Sequence, residues 1–179
     1  LIDCDLRNPS IAATYGQEKM PGFSEYLQDK CSLEDTLYHT KNPNLYVIFA
    51  GRPVAHPEKL LRKESARELL VSAEGTFDYI ILDTPPCALL SDAADICSLA
   101  DCAVLTVRQD FSCHSQVLEA IQILGDCGRP ILGTVLSMTA PHSKISSYFR
   151  YGSSYYGYGG YGGYGYERKD AQPEIPTED

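Results

Sequence analysis

Two short apolar runs, each stopping on an aspartate, constrain this chain more than any other feature. FDYIILD, residues 77–83, is almost continuously apolar and is followed by Thr84-Pro85-Pro86. Such runs suit strands buried on both faces of a parallel sheet, and proline cannot continue a central strand. Leu1-Ile2-Asp3 reads as the end of a second buried strand, which the chain leaves as Cys4-Asp5-Leu6-Arg7. LYVIFA (45–50), CAVLTVR (102–108) and PILGTVLSM (130–138) read as further strands. Helical stretches lie between them. Residues 22–29 form one, and 32–40 another, with Ser32 as N-cap and Asp35 three positions on. Pro57 opens a long helix at its first turn, striped by Leu60, Leu61, Leu69 and Leu70. Further helices are expected near 92–99 and over 113–125, the latter with Val117, Leu118, Ile121 and Leu124 inward. Strands alternating with helices predict an α/β fold, a parallel sheet with helices on both faces.

Ligands on such sheets bind at the carboxyl ends of the strands. Asp3, Asp5 and Asp83 all fall at such ends. Asp3 and Asp5 stand at i and i+2, so in an extended chain they point the same way. Three carboxylates at one sheet edge repel one another unless a cation sits among them. Mg²⁺ with a nucleotide is the natural occupant, because Mg²⁺ takes few protein carboxylates and keeps several waters. Arg7 offers a positive charge near the same place. A single aspartate after a strand also serves as a loop or N-cap residue, so the reading rests on the trio.

Composition narrows the partners. A net charge of −9 is a poor footprint for nucleic acid, and no nucleic-acid partner is expected. No apolar stretch approaches the roughly 20 residues of a membrane-spanning helix, and the opening residues do not read as a signal peptide. Cysteines stand at 4, 31, 87, 97, 102, 113 and 127, an odd number with no CxxC. They suggest neither a disulfide framework nor a zinc knuckle and read as small buried hydrophobes. The sequence opens without Met in the middle of a motif, which reads as a fragment lacking its N-terminal portion. Beyond about residue 141 the character changes. YFRYGSSYYGYGGYGGYGYE (148–167) carries Tyr148, Tyr151, Tyr155, Tyr156, Tyr158, Tyr161, Tyr164 and Tyr166 among glycines, with no aliphatic residue. A folded domain over 1–140 and a flexible tail over 141–179 are expected.

LIDCDLRNP resembles the second nucleotide motif (Walker A′) of the bacterial tyrosine kinases, the autokinases that regulate capsular and exopolysaccharide synthesis. IILDTPP resembles their Walker B motif. GFSEYL (22–27), GRPVAHPEKLL (51–61), Ser91-Asp92-Ala93 and AVLTVR (103–108) are similar to that family in the same order, and the tyrosine-rich tail completes the pattern. The resemblance implies a P-loop NTPase-like domain, here N-terminally truncated, that uses ATP and Mg²⁺ to phosphorylate tyrosines of its own tail. It implies that Asp3 and Asp5 support the Mg²⁺ site, that Asp5 takes the proton of the incoming tyrosine, and that Asp83 holds Mg²⁺ through a water. It also implies a membrane activator of the polysaccharide co-polymerase type, a homo-oligomeric ring, and a cytoplasmic place at the inner face of the membrane.

Three features depart from the family pattern. No GxxxxGK[ST] phosphate loop occurs in the sequence, so the chain alone is expected to bind ATP poorly and not to turn over, while remaining a substrate in trans. Ser137 stands where the family usually carries an Asn that is a candidate for contacting adenine. His56 stands where the family often has Asn, and reads as a surface loop residue. Two other readings compete: a partitioning or division-type switch ATPase of the same superfamily, and a non-enzymatic scaffold.

Overall fold

The computed structural model describes residues 1–87 and 92–139. In chain order the elements are β1 (Ile2–Asp3), α1 (Ile11–Tyr15), α2 (Phe23–Leu27), α3 (Leu33–Thr36), β2 (Leu37–His39) and β3 (Tyr46–Ile48). They continue with α4 (Pro57–Leu61), α5 (Glu64–Glu74), β4 (Leu82–Asp83), α6 (Asp92–Leu99), β5 (Ala103–Arg108), α7 (His114–Asp126) and β6 (Ile131–Ser137). The alternation is the expected α/β order. The strands form a four-stranded sheet in the order β2-β3-β1-β4 and a two-stranded sheet of β5 and β6. β1 runs parallel to both β3 and β4, and β5 runs parallel to β6.

The main core explains why β1 lies where it does. Ile2, Cys4 and Leu6 enter one apolar cluster with Phe23, Leu27, Ile48, Leu61, Leu69 and Ile96, drawn from α2, β3, α4, α5 and α6. Asp3 and Asp5 alternate with those core residues and so fall on the other side of the chain. On the opposite side of β3, Phe49 stacks with Tyr15 of α1 and Tyr38 of β2, at ring-centroid distances of 5.8 and 5.4 Å.

Five expectations need correction. Of the cysteines expected to be buried only Cys4 and Cys97 are, while Cys31, Cys87, Cys102 and Cys127 are half-buried and Cys113 is exposed. The helix expected over 32–40 stops at Thr36, and Leu37–His39 instead form an edge strand antiparallel to β3. The capping box does form: the Asp35 amide donates to Ser32 Oγ and the Ser32 amide to Asp35 Oδ2. What ends the helix is aromatic pairing across the sheet, with Tyr38 on Phe49 and His39 on Tyr46, which rewards an extended backbone. The long helix from Pro57 breaks at Arg62–Lys63 into α4 and α5, although its leucine stripe faces the core as expected. The 77–83 run is not buried on both faces, since Tyr79 and Ile81 are exposed and β4 is the last strand of its sheet. In α7, Val117 and Leu124 pack inward, but Leu118 and Ile121 are exposed. No helix among the described residues is long and apolar enough to cross a membrane.

A carboxylate cluster at the strand ends

Parallel pairing sets the site. β1 and β4 are in register with Ile2 opposite Leu82 and Asp3 opposite Asp83. The Cys4 amide then bonds the Asp83 carbonyl at 2.9 Å, so both strands end at the same level. Each sequence places an aspartate at its last strand position, and the register brings the two side by side. Asp5 follows two residues later and is tied back, its amide donating to Asp3 Oδ1 at 3.1 Å.

The carboxylates feel one another. Asp3 is 1% exposed, and its pKa is raised to about 6, by desolvation first, with the negative charges of Asp83 and Asp5 adding to it. Amides of Asp5 and Ile11 pull the other way. Asp83 lies open at the strand end, yet partial desolvation, and after it the charge of Asp5, raises its pKa too. The three expected residues are therefore gathered into one electrostatic unit.

Their hydrogen bonds are unequal. Asp5 Oδ1 accepts from the backbone amides of Arg7 at 3.2 Å and Asn8 at 2.9 Å. Asp5 Oδ2 makes no hydrogen bond among the described residues. Asp3 Oδ2 is buried and has no hydrogen-bond partner among the described residues. A buried anionic oxygen without a donor is costly, and a cation or its bound water would satisfy it. No three carboxylate, thiol or imidazole groups among the described residues lie close enough to cage a metal directly. The donor set therefore fits an ion that takes one or two carboxylates and keeps its waters, which is the habit of Mg²⁺.

Arg7 is engaged elsewhere than the sequence alone indicates. Its guanidinium forks onto Asp92 at the start of α6, Nε to Oδ2 at 2.5 Å and Nη2 to Oδ1 at 3.1 Å, and Nη2 also reaches Glu58 of α4 at 3.4 Å. Asp92 and Glu58 are the residues that sequence reasoning missed at this site. An acidic residue in a first helical turn reads as complementing the helix dipole, and nothing local announces a partner 85 positions away. His56, the N-cap position of α4, is exposed as expected and its Nδ1 lies 3.3 Å from Glu58. Ser137 ends β6, and its hydroxyl donates to the Val107 carbonyl of the neighbouring strand at 3.3 Å. The acceptor tyrosines Tyr148–Tyr166 and Ser91 lie outside the described residues.

No family model matches the chain. Individual proteins do. It is 30% identical over 157 residues to the tyrosine-protein kinase YwqD of Bacillus subtilis, covering 88% of this chain and 64% of that protein. It is 32% identical over 138 residues to the tyrosine-protein kinase CpsD of Streptococcus pneumoniae serotype 4, covering 76% of this chain and 61% of that one. The chain thus spans a little over three fifths of the length of these relatives. Among solved structures, the VpsO kinase domain superposes with a TM-score of 0.71 at 32% identity, covering 78% of this chain and 69% of that domain.

Proposed function

The chain belongs to the bacterial tyrosine-kinase family, and on that premise we propose that it works in an ATP- and Mg²⁺-dependent protein-tyrosine autokinase whose acceptors are the tyrosines of its own tail. The observation that carries this reading is the buried Oδ2 of Asp3, without a hydrogen-bond partner among the described residues and set beside Asp83 and Asp5 where two parallel strands end. Phosphoryl transfer asks mainly for positioning and charge neutralisation, and the carboxylates would serve it by holding the Mg²⁺ that does the neutralising.

Asp3 and Asp83 would hold Mg²⁺, with water completing its shell. When bound, Mg²⁺–ATP supplies the phosphoryl group and offsets the carboxylate repulsion. Asp5 has a separate task. Two amides fix its Oδ1, and Oδ2 is left to accept the proton of an incoming tyrosine hydroxyl, whose pKa of about 10 calls for a nearby base. Ser137 is the candidate contact for the adenine, a weaker one than Asn because it lacks an amide to pair with both a donor and an acceptor.

The same reading extends to the assembly. Each phosphotyrosine adds about −1.5 to −2 charges, so a tail phosphorylated at Tyr148, Tyr151, Tyr155, Tyr156, Tyr158, Tyr161, Tyr164 and Tyr166 would repel its neighbours strongly. That charge gives a physical reason for a homo-oligomeric ring to open on phosphorylation; the ring itself, and a membrane activator of polysaccharide assembly at the inner face of the membrane, are what membership of the family implies. The test is phosphotyrosine formation by the natural full-length protein with Mg²⁺–ATP. Asp5→Asn should lower the rate by roughly 100-fold or more, while leaving nucleotide binding in place. Equal rates in the two proteins would remove Asp5 from the chemistry.

A further inference from the structure

The fork between Arg7 and Asp92 has geometry that a surface ion pair lacks. Asp92 is 1% exposed and Arg7 about one-third exposed. The contact is bidentate, the arrangement that gives an arginine–carboxylate pair its directional strength. It joins the loop after β1 to the first residue of α6, and through Glu58 to the first turn of α4. Those helices also pack on each other and share the core, through Leu61 and Ile96, with Ile2 and Cys4 of the β1 segment. Arg7 thus fastens its own loop to a rigid bed of two helices.

That loop carries the carboxylates. The backbone amide of Arg7 itself, with that of Asn8, holds Asp5 Oδ1, and the Asp5 amide holds Asp3 Oδ1. An unbroken chain of contacts runs from Asp92 through the Arg7 side chain, the Arg7 and Asn8 amides and Asp5 to Asp3. We propose that Arg7 is a positioning residue: anchored on Asp92 and Glu58, it fixes the direction of the Asp5 and Asp3 carboxylates through backbone amides, instead of reaching a phosphate with its own charge. The inference deepens the proposed function, because the carboxylates it positions are the ones assigned there. Arginine is required, since lysine offers one point charge where two parallel donors are needed.

Backbone amide hydrogen exchange of this chain, read residue by residue by NMR, tests it. The samples are wild type, Asp92→Asn, Arg7→Lys, and Arg62→Ala as a control that breaks the exposed Arg62–Asp95 bridge on the same helix. In both Asp92→Asn and Arg7→Lys the amides of Asp5, Arg7 and Asn8 should exchange about tenfold faster, a local opening and not a global one. The amides of Phe23 and Ser24, bonded to the Phe49 and Ala50 carbonyls, should stay at the wild-type rate, and Arg62→Ala should change none of the five. The same samples titrated with Mn²⁺ alone, followed by its EPR signal, should show weaker uptake in the two fork variants. Unchanged exchange at the three loop amides, or an equal rise everywhere, overturns the inference. So does failure of both fork variants to fold, which would make the pair a support of the fold and not of the site. If wild type takes up no Mn²⁺ but the local exchange pattern holds, the metal reading falls and the positioning role stands.

Discussion

Asp3 is the residue on which most of the physics converges. Its carboxyl is buried, one oxygen lacks a donor, and its pKa is raised to about 6. A carboxyl that holds its proton more tightly folded than unfolded stabilises the fold at low pH and loses that advantage as pH rises. The advantage is whole below the ordinary carboxylate range and gone above about 6, so ionised Asp3 costs on the order of 3 kcal/mol at neutral pH. Asp3→Asn should therefore raise Tm relative to wild type at pH 7.5, and the difference should vanish near pH 4. Melting curves at the two pH values check it. Adding Mg²⁺ at pH 7.5 should stabilise wild type and leave Asp3→Asn unmoved, because only the anion gains from the ion. That Asp3, Asp5 and Asp83 come together at one sheet edge was legible in the sequence, because they stand where apolar runs stop. The partners of Arg7 were not, because its fork crosses 85 positions and only the folded chain brings α6 to the β1 loop.

At the scale of elements, two glycines set how the 22–27 and 51–61 segments meet. Gly51 has φ of 81°, and a Cβ there would stand 1.9 Å from Glu25 Oε2; one on Gly22 would stand 2.3 Å from the Gly51 nitrogen. Glu25 uses that closeness, accepting from the Gly22 amide at 3.0 Å and the Arg52 amide at 3.2 Å. Gly51→Ala should cost on the order of 1–3 kcal/mol or more from the backbone alone, measured by denaturant unfolding; a loss of a few tenths would mean that the two loops separate freely. Ser32→Ala should cost about 1 kcal/mol, the usual loss of an N-cap. That cap was readable from Ser32 and Asp35 alone. The strand that follows it was not, because Leu37–His39 become extended only through Phe49, Tyr46 and Tyr15, none of them local. Position in a sheet is likewise invisible to a run of apolar letters, which is why Tyr79 and Ile81 proved exposed.

Across the whole molecule, the β5–β6 sheet is covered on one face at β5 and open on the other, and at β6 it is open on both, Leu136 being 55% exposed. Leu105 and Val107 pack with Ala120 and Leu124 of α7, while Val104 and Val135, on the other side, are 55% and 52% exposed. Parallel sheets are ordinarily covered on both faces, so this chain by itself should bind an apolar dye such as ANS, and Val104→Thr with Val135→Thr should reduce the signal without lowering Tm. An unchanged signal would place the dye elsewhere. Where the phosphate goes is read from the intact mass of the C-terminal peptide, cut from the natural full-length protein after incubation with and without Mg²⁺–ATP. Several phosphate-sized increments are expected on the segment holding Tyr148–Tyr166, absent without ATP and absent in Asp83→Asn. A tail of unaltered mass from a protein that still hydrolyses ATP would contradict this expectation, and would leave a nucleotide switch in place of a tyrosine kinase.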